Sequence, residues 1–523
     1  MSKYIWCVYR KKGESVLKDF ADKLAEWWYD GYQATDRLNV HKKQRGENMG
    51  KISDLFEKNT DQEMEKSVGN TETSEDSFVL GVQDVFELRR SNAAVVVGRV
   101  QGTVRPGMKV FVSEFGADEG EVLMTSIQNL EIEGSSVREA TDCMVALKIG
   151  LSADDYKVRI GSVVHSRNAI TKDVHNAYIT AIGDTYVARK NLDLAESELE
   201  AMSIADLAEA WRLFNWFHAK QNRDETEEEK QENQRKVEKL ADVLCRKILE
   251  ANEIYTVYDK ATGEPHLFSQ TYKQEDGSYV CGQPDILLIP MAYAQLYTAT
   301  FPASKFEVRK IENGEEKTGI RDFLGSAFYL NGACGARICT EHTAVDAAKL
   351  VPAPDYGDTP QINIPLTNPD LMRWMLLIGQ MGRPESSEAE LICRLYYRFL
   401  AKELVKANFV IPMKTEGEMP QTDENGRSVL KQDTKLTFPT LPGKYGRDAV
   451  RMYTDWKRLR MEFGEEWSGL VQPIEGMIDV FDCAINLTKF PAAGCYVGKE
   501  MFEEMKNMTR KQQDSVPEDQ VES

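Results

Sequence analysis

Residues 367–413 read TNPDLMRWMLLIGQMGRPESSEAELICRLYYRFLAKELVKANFVIPM. Asn368-Pro369 opens a helix and Gly382 with Pro384 closes it. Proline's missing N–H is harmless in a first turn, and glycine suits the backbone just past a last one. Ser387 then caps a second helix, on which Leu391, Leu395, Phe399 and Leu400 recur at helical spacing. That helix runs into Asn408-Phe409-Val410-Ile411-Pro412, a short apolar strand that the proline is expected to stop.

The latter half of this pattern recurs upstream. Residues 240–257, LADVLCRKILEANEIYTV, again give an apolar helix, an Ala-Asn turn and a short strand. After a polar insert, each copy continues with a strand leading into a helix, ILLIPMAYAQL at 286–296 and AVRMYTDWKRL at 449–459. Each then has a helix, a strand and a loop, at 320–339 and 474–495. Landmarks such as Ile254 with Val410 and Asn331 with Asn486 lie about 155 residues apart, too far for a solenoid repeat of roughly 20–50. The spacing predicts duplicated domains.

Both copies resemble the N-terminal domain of the SseB (enhanced serine sensitivity) proteins. In the second copy the match rests on the "NP" helix, the "FVIP" ending, the Val450-Arg451-Met452-Tyr453-Thr454-Asp455 strand and Ala484-Ile485-Asn486 before an apolar loop. The first copy carries Tyr255-Thr256-Val257 where the second has its apolar-proline ending. The resemblance transfers no catalytic residue and implies a small α/β binding or regulatory module.

Composition bounds the rest. A chain of 523 residues, 42% hydrophobic, is long enough for several domains. Its net charge of −19 works against duplex DNA as a main partner. No run of about 18 apolar residues spans a membrane, and MSKYIWCVYRKKGE lacks the apolar core of a secretory signal. Nine scattered cysteines suggest reduced thiols and a cytoplasmic setting.

Residues 1–48 form an N-terminal extension in which Trp27, Trp28, Tyr29 and Tyr32 precede a basic His41-Lys42-Lys43-Gln44-Arg45. It reads as a short helix with a solvated tail, as an extension upstream of a natural start at Met49, or as a helix with a basic face for RNA or a partner. Residues 49–77 are an acidic linker, poor in aromatics.

Residues 78–168 carry short apolar runs punctuated by glycine, with no helical period between them, and argue a closed β-barrel. Gly98 would let two strands cross closely, while Gly102 and Gly107 bracket a tight turn. The string Asp84-Val85-Phe86, Val97-Gly98-Arg99-Val100, Gly102-Thr103-Val104-Arg105-Pro106-Gly107, Val145-Ala146-Leu147 and Gly161-Ser162-Val163-Val164 resembles domain II of the elongation factor Tu class of translation factors. That resemblance implies contact with ribosome or tRNA. Asp142 stands where that family usually has glycine, and the turn after Val100 is a residue short. The chain also lacks the GxxxxGK[ST] loop that wraps nucleotide phosphates. Residues 78–165 hold nine Lys/Arg against twelve Asp/Glu. Arg99, Arg105 and Lys109 are the candidate basic spot for RNA or a partner, with a solvated surface as the plainer reading.

Residues 169–235 form a helical connector. Ser203 caps 204–220, where Ile204, Leu207, Trp211, Phe214 and His218 share a stripe that Trp216 and Phe217 widen. This face either anchors interdomain packing or receives a partner helix. The charged run 222–239 suits a stiff solvated helix. The duplicated domains then occupy 236–352 and 366–507, and a disordered tail 508–523.

Chemistry is sparse. Cys334, Cys339 and His342 fit no known zinc spacing. Asn331-Gly332-Ala333-Cys334-Gly335 resembles a phosphate loop, read as following a strand and preceding a helix over 343–350. Asn331, Gly332 and Gly335 are therefore the candidate ligand loop, against a close-packed turn. With six histidines in the whole chain and no nucleophile–base order, no cofactor, metal or catalytic residue is expected. The expected fold is multidomain α+β: one small closed barrel, a helical connector and two duplicated α/β domains. The expected function is a non-enzymatic scaffold for an unknown protein or metabolite, the alternative a translation accessory factor meeting ribosome or tRNA.

Overall fold

The computed structural model describes residues 77–513, except 89–91, 116–122, 152–157, 222–224, 275–278, 340–342, 361–362, 417–434, 444–445 and 489–491. The N-terminal extension, His342 and nearly all of the expected linker therefore lie outside the described residues.

Strands β1 (Phe78–Gly81), β2 (Asp84–Leu88), β3 (Ala93–Val104), β4 (Lys109–Ser113), β5 (Leu123–Ile132), β6 (Ser135–Ser136), β7 (Ala140–Thr141), β8 (Met144–Gly150) and β9 (Val163–His165) form one antiparallel sheet. Its order β1-β9-β4-β5-β8-β3 closes, because β3 pairs back to β1. The result is a closed barrel of six strands, filled by Leu80, Val96, Val100, Val112, Leu130, Leu147 and Val164. Gly98 sits at the expected crossing: a Cβ there would lie 2.2 Å from the Gly81 carbonyl oxygen. Gly102 belongs to β3 itself, with a left-handed φ of 92°. Asp142, at φ 50°, accepts the Gly102 N–H on Oδ1 at 2.8 Å, which explains how a non-glycine residue holds that turn.

Two wall strands serve two cores. Phe78 and Leu80 of β1 point into the barrel, whereas Val79 joins the larger core outside it; on β9, Val164 and Val163 divide in the same way. Alternation along a strand makes this sharing automatic.

Against this wall packs α1 (Thr171–Ile182), followed by a π-helical turn (Gly183–Arg189), α2 (Glu196–Ala201), α3 (Ile204–Gln221) and α4 (Glu227–Glu250). Ser203 caps α3 reciprocally with Asp206: Asp206 N–H donates to Ser203 Oγ at 3.1 Å and Ser203 N–H to Asp206 Oδ2 at 2.8 Å. From Glu227 onward the charged run is the first half of α4, whose second half buries Leu240, Leu244 and Ile248. The expected boundary at 235 thus falls inside a continuous helix.

The first α/β unit comprises β10 (Glu253–Asp259), β11 (Thr271–Lys273), β12 (Tyr279–Cys281), β13 (Asp285–Ile289), α5 (Met291–Thr300), β14 (Phe306–Glu312), α6 (Gly319–Tyr329), β15 (Gly335–Ile338), β16 (Ala344–Asp346) and α7 (Ala347–Leu350). Its main sheet has the order β14-β10-β13-β15-β16, with only β13–β15 parallel. The helix expected over 343–350 is a strand followed by one short turn, because Ala344–Asp346 completes the edge of this sheet.

The second unit comprises α8 (Pro369–Met381), α9 (Ser387–Lys406), β17 (Asn408–Glu416), β18 (Lys435–Thr437), β19 (Thr440–Leu441), β20 (Ala449–Met452), α10 (Trp456–Arg460), β21 (Ser468–Pro473), β22 (Asp482–Ile485), β23 (Cys495–Val497) and α11 (Lys499–Gln513). Here β21 pairs β17 antiparallel, Val410 bridges Tyr453 beyond β20, β20–β22 is parallel and β22–β23 antiparallel. The senses follow the same sequence as in the first sheet.

Several local expectations change. Ser386, rather than Ser387, caps α9, accepting the Ala389 N–H at 3.1 Å. Pro412 does not end β17, which continues to Glu416. Val410 turns its N–H and C=O toward Tyr453, so Pro412, two residues on, faces the same side, beyond that bridge and before β18 pairs at Lys414. A missing donor costs nothing there. Asn331 and Asn486 are not equivalent: Asn486 follows β22 as Cys339 follows β15. Both have left-handed φ (49° and 63°), and their N–H groups bond Met452 and Leu288, respectively. Helix α11 continues to Gln513, into the stretch expected as a tail, because its Met501, Phe502 and Met505 are buried.

Candidate functional site

The three barrel cations do not form one patch. Arg99 is exposed in the middle of β3, opposite Met144. Arg105 follows the end of that strand, about 20 Å further on at ~3.3 Å per residue, and donates from Nε to Glu139 Oε2 at 2.6 Å. Both partners are half exposed, so the pair adds little stability. Lys109 opens β4, across the Pro106-Gly107 turn from Arg105, with β5 and β8 between it and β3.

The Asn331–Gly335 loop is a seam between the two α/β units. It follows helix α6 and precedes β15, the reverse of the order a phosphate loop needs. Its N–H groups are already engaged: Asn331 donates to Ser326 O, Gly332 to Phe328 O, Ala333 to Ala327 O and Cys334 to Pro284 O. Gly332, at φ 77°, lies so close to α8 that a Cβ would be 2.0 Å from Pro369 O. Its own carbonyl accepts Arg373 Nε at 2.6 Å. The loop therefore offers no free amide cradle, and the close-packed turn is the reading the geometry supports.

Asn331 itself is buried among charges. Arg458 of α10 donates from Nη2 to Asn331 Oδ1 (2.6 Å) and Glu264 Oε1 (2.7 Å), and from Nη1 to Asp455 Oδ2 (2.5 Å). Asn331 Nδ2 returns to Glu264 Oε2 at 2.8 Å. Burial alone would lower the Arg458 pKa, but Glu264 and Asp455 more than offset it, so the guanidinium stays charged. A second seam contact uses Gln380 of α8, which accepts the Leu267 N–H at 2.9 Å and donates to Pro265 O at 2.9 Å.

On α3, Leu207, Trp211 and Phe214 are buried as the stripe requires, while Trp216 is 50% exposed and Phe217 half-buried. Five residues of helix turn Trp216 about 140° away from Trp211 at ~100° per residue, off the buried face. The covered side of α3 meets barrel and first unit together. Tyr293 donates to Glu209 at 2.7 Å, Tyr178 to Asp206 at 2.9 Å, and Phe115 of the barrel stacks on His175 and Tyr178. Arg159 pairs with Asp206 and Glu114. Burial raises the Tyr178 and Tyr293 phenols well above their usual range, so they act here as neutral hydrogen-bond donors. This face is interdomain packing.

What sequence reasoning missed is the uncovered wall of the barrel. Phe86 on β2 lies opposite Val95 on β3, which lies opposite Lys148 on β8; Arg99 lies opposite Met144. Directly opposed residues share a face, and Val95 and Arg99 have the same parity. Phe86 (54% exposed) and Met144 (39%) therefore stand with Arg99 on an outward surface that also carries Asp84 and Glu131, apolar with charges of both signs. The strand DVFEL held the signal, since Phe86 alternates in phase with Asp84. Among the described residues, no group of three or more His, Cys, Asp or Glu is placed to hold a metal. No helix among them is long and apolar enough to cross a membrane.

No protein-family model matches this chain, and no curated protein does. Two solved structures of translation elongation factor SelB from Methanococcus maripaludis, the apo form and the complex with the GTP analogue GppNHp, match at 19% identity and a TM-score of 0.16. The match covers 23% of this chain and 25% and 24% of theirs, about a quarter of each. At that score the likeness carries no argument, and the barrel rests on its own strand pairings.

Proposed function

We propose that the protein is a non-enzymatic binding scaffold whose barrel presents the docking surface and whose α/β units are duplicated modules of the SseB kind. The observation that carries the reading is the outward face of β2, β3 and β8. One wall of the barrel is sealed by helices through Val79 and Val163, while Phe86, Met144 and Arg99 stand open on another. Large exposed apolar side chains among charges of both signs suit a protein partner better than a small metabolite. The duplication is supported by the matching order of pairing senses in the two sheets and by the left-handed residue after β15 and β22. The Asn331 loop and the Arg458 cluster serve as mortar between modules rather than as a site.

The test is affinity capture with the full chain and with Phe86→Glu plus Met144→Glu, both at exposed positions, with circular dichroism to check that the variant is folded. Partners retained by the first and lost from the second support the reading. Identical retention by both sinks it, as does turnover of any substrate abolished by a single polar substitution. Salt-sensitive co-sedimentation with ribosomes, lost in Arg99→Glu, would identify the partner as the translation machinery.

A further inference from the structure

The outer strands of the two α/β sheets are guarded differently. In the first unit β14, FEVRKIE, places Glu307, Arg309, Lys310 and Glu312 along the edge, paired among themselves and with Glu253. Charges on an edge strand oppose pairing with another chain. In the second unit β21, SGLVQP, occupies the corresponding position and carries no charge. Val471, at its centre, is 45% exposed.

The register shows which backbone groups this edge offers. Val410 exchanges both its hydrogen bonds with Tyr453, at 2.8 Å each, so it turns its backbone away from β21. Because bonded and non-bonded pairs alternate along an antiparallel ladder, Phe409 with Gln472 and Ile411 with Leu470 are the bonded pairs of β17 and β21. Gly469 and Val471 therefore direct N–H and C=O outward, and Pro473 its C=O. No partner strand meets them among the described residues.

We infer that β21 is a self-pairing edge through which two copies of this chain dimerise about a two-fold axis at Leu470. With Leu470 opposite its own symmetry mate, Gly469 of one copy faces Val471 of the other. These are the residues whose backbone groups point outward, so their N–H and C=O groups pair reciprocally with nothing left over in the centre. The side chains agree. Gly469 has Trp456 folded over it, with a Cβ there only 2.4 Å from the indole, so the Val471 side chain of the second copy meets the flank of a half-buried tryptophan. An isologous contact of this kind closes on itself, which an uncharged edge pairing with arbitrary strands would not. The inference is independent of the barrel face.

Sedimentation equilibrium of the full chain tests it. The expected result is a reversible dimer, weakened by about tenfold or more in Val471→Lys, with the far-ultraviolet circular dichroism unchanged. Leu470→Cys provides a second measurement: residues opposed in a non-bonded antiparallel pair lie about 4.5 Å apart at Cα, so mild oxidation should yield a covalent dimer. A wild-type chain that stays monomeric at the highest concentration attainable overturns the inference. So does a dimer that survives Val471→Lys, or one in which Leu470→Cys fails to cross-link.

Discussion

Arg458 and Asn331, 127 residues apart in the chain, meet at 2.6 Å in the interior between the two α/β units. The guanidinium is 4% exposed and its carboxylate partners come from both sides of the seam, Glu264 from the first unit and Asp455 from the second. Asp455 also caps α10, accepting the Arg458 N–H at 2.9 Å.

Removing one member of such a cluster leaves opposite charges buried without compensation. Arg458→Ala is expected to cost about 3–5 kcal/mol of unfolding free energy. Arg458→Lys should recover only part, since an ammonium lacks the planar fork that reaches three acceptors. Urea denaturation of the two variants checks both statements; equal stability to the parent would remove the cluster from the account of the seam.

Gln380 stands in for a strand by bonding the backbone on either side of His266. Gln380→Leu has similar bulk but leaves the Leu267 N–H and Pro265 C=O unpaired, a loss of about 1–3 kcal/mol for each buried group. Faster amide hydrogen exchange at Leu267 in the variant is the specific sign, one that a general packing defect would not localise.

The two tryptophans of α3 should separate cleanly. Trp211→Ala opens a cavity in the core and should destabilise by about 3–5 kcal/mol. Trp216→Ala changes an exposed site and should stay within about 1 kcal/mol. Parallel thermal melts decide the matter, and comparable losses would show that Trp216 is not on the outer side.

His266 predicts a pH dependence. Burial pulls its imidazole from 6.5 down to about 3, with Lys305 acting in the same direction. Between those values the unfolded chain binds a proton that the folded chain refuses, so stability falls as pH drops through that window, by up to about 1.4 kcal/mol per pH unit. Other groups titrate there too, so the quantity to measure is the difference between the parent and His266→Phe, from denaturation at a series of pH values. The parent should lose stability faster on acidification; a flat difference would contradict the assignment.

How far the sequence led depended on the range of each cause. The barrel was legible because Gly98 and the alternating valines encode strand and crossing within a few residues. The helix boundaries at Asn368 and Gly382 and the cap at Ser203 are legible for the same reason. Which alternative holds at the Asn331 loop is not legible locally, because the groups that occupy it, Pro369, Arg373 and Arg458, arrive from another part of the chain. Trp216 was placed on the buried stripe by its hydrophobicity although its helical angle put it outside. The Asn486 counterpart was mistaken for Asn331 because like residues were aligned, whereas the left-handed position after β15 is filled by Cys339. The exposed Phe86 was legible in phase but not in coverage, which depends on where the connector helices lie down.

Strands β1 and β9 give alternate side chains to the barrel interior and to the helical body beside it, like a party wall between two houses. Neither side can come down without stripping a surface from the other. Heating should therefore fell the barrel and its neighbour in a single cooperative event, and a protease would find no sparing cut between them.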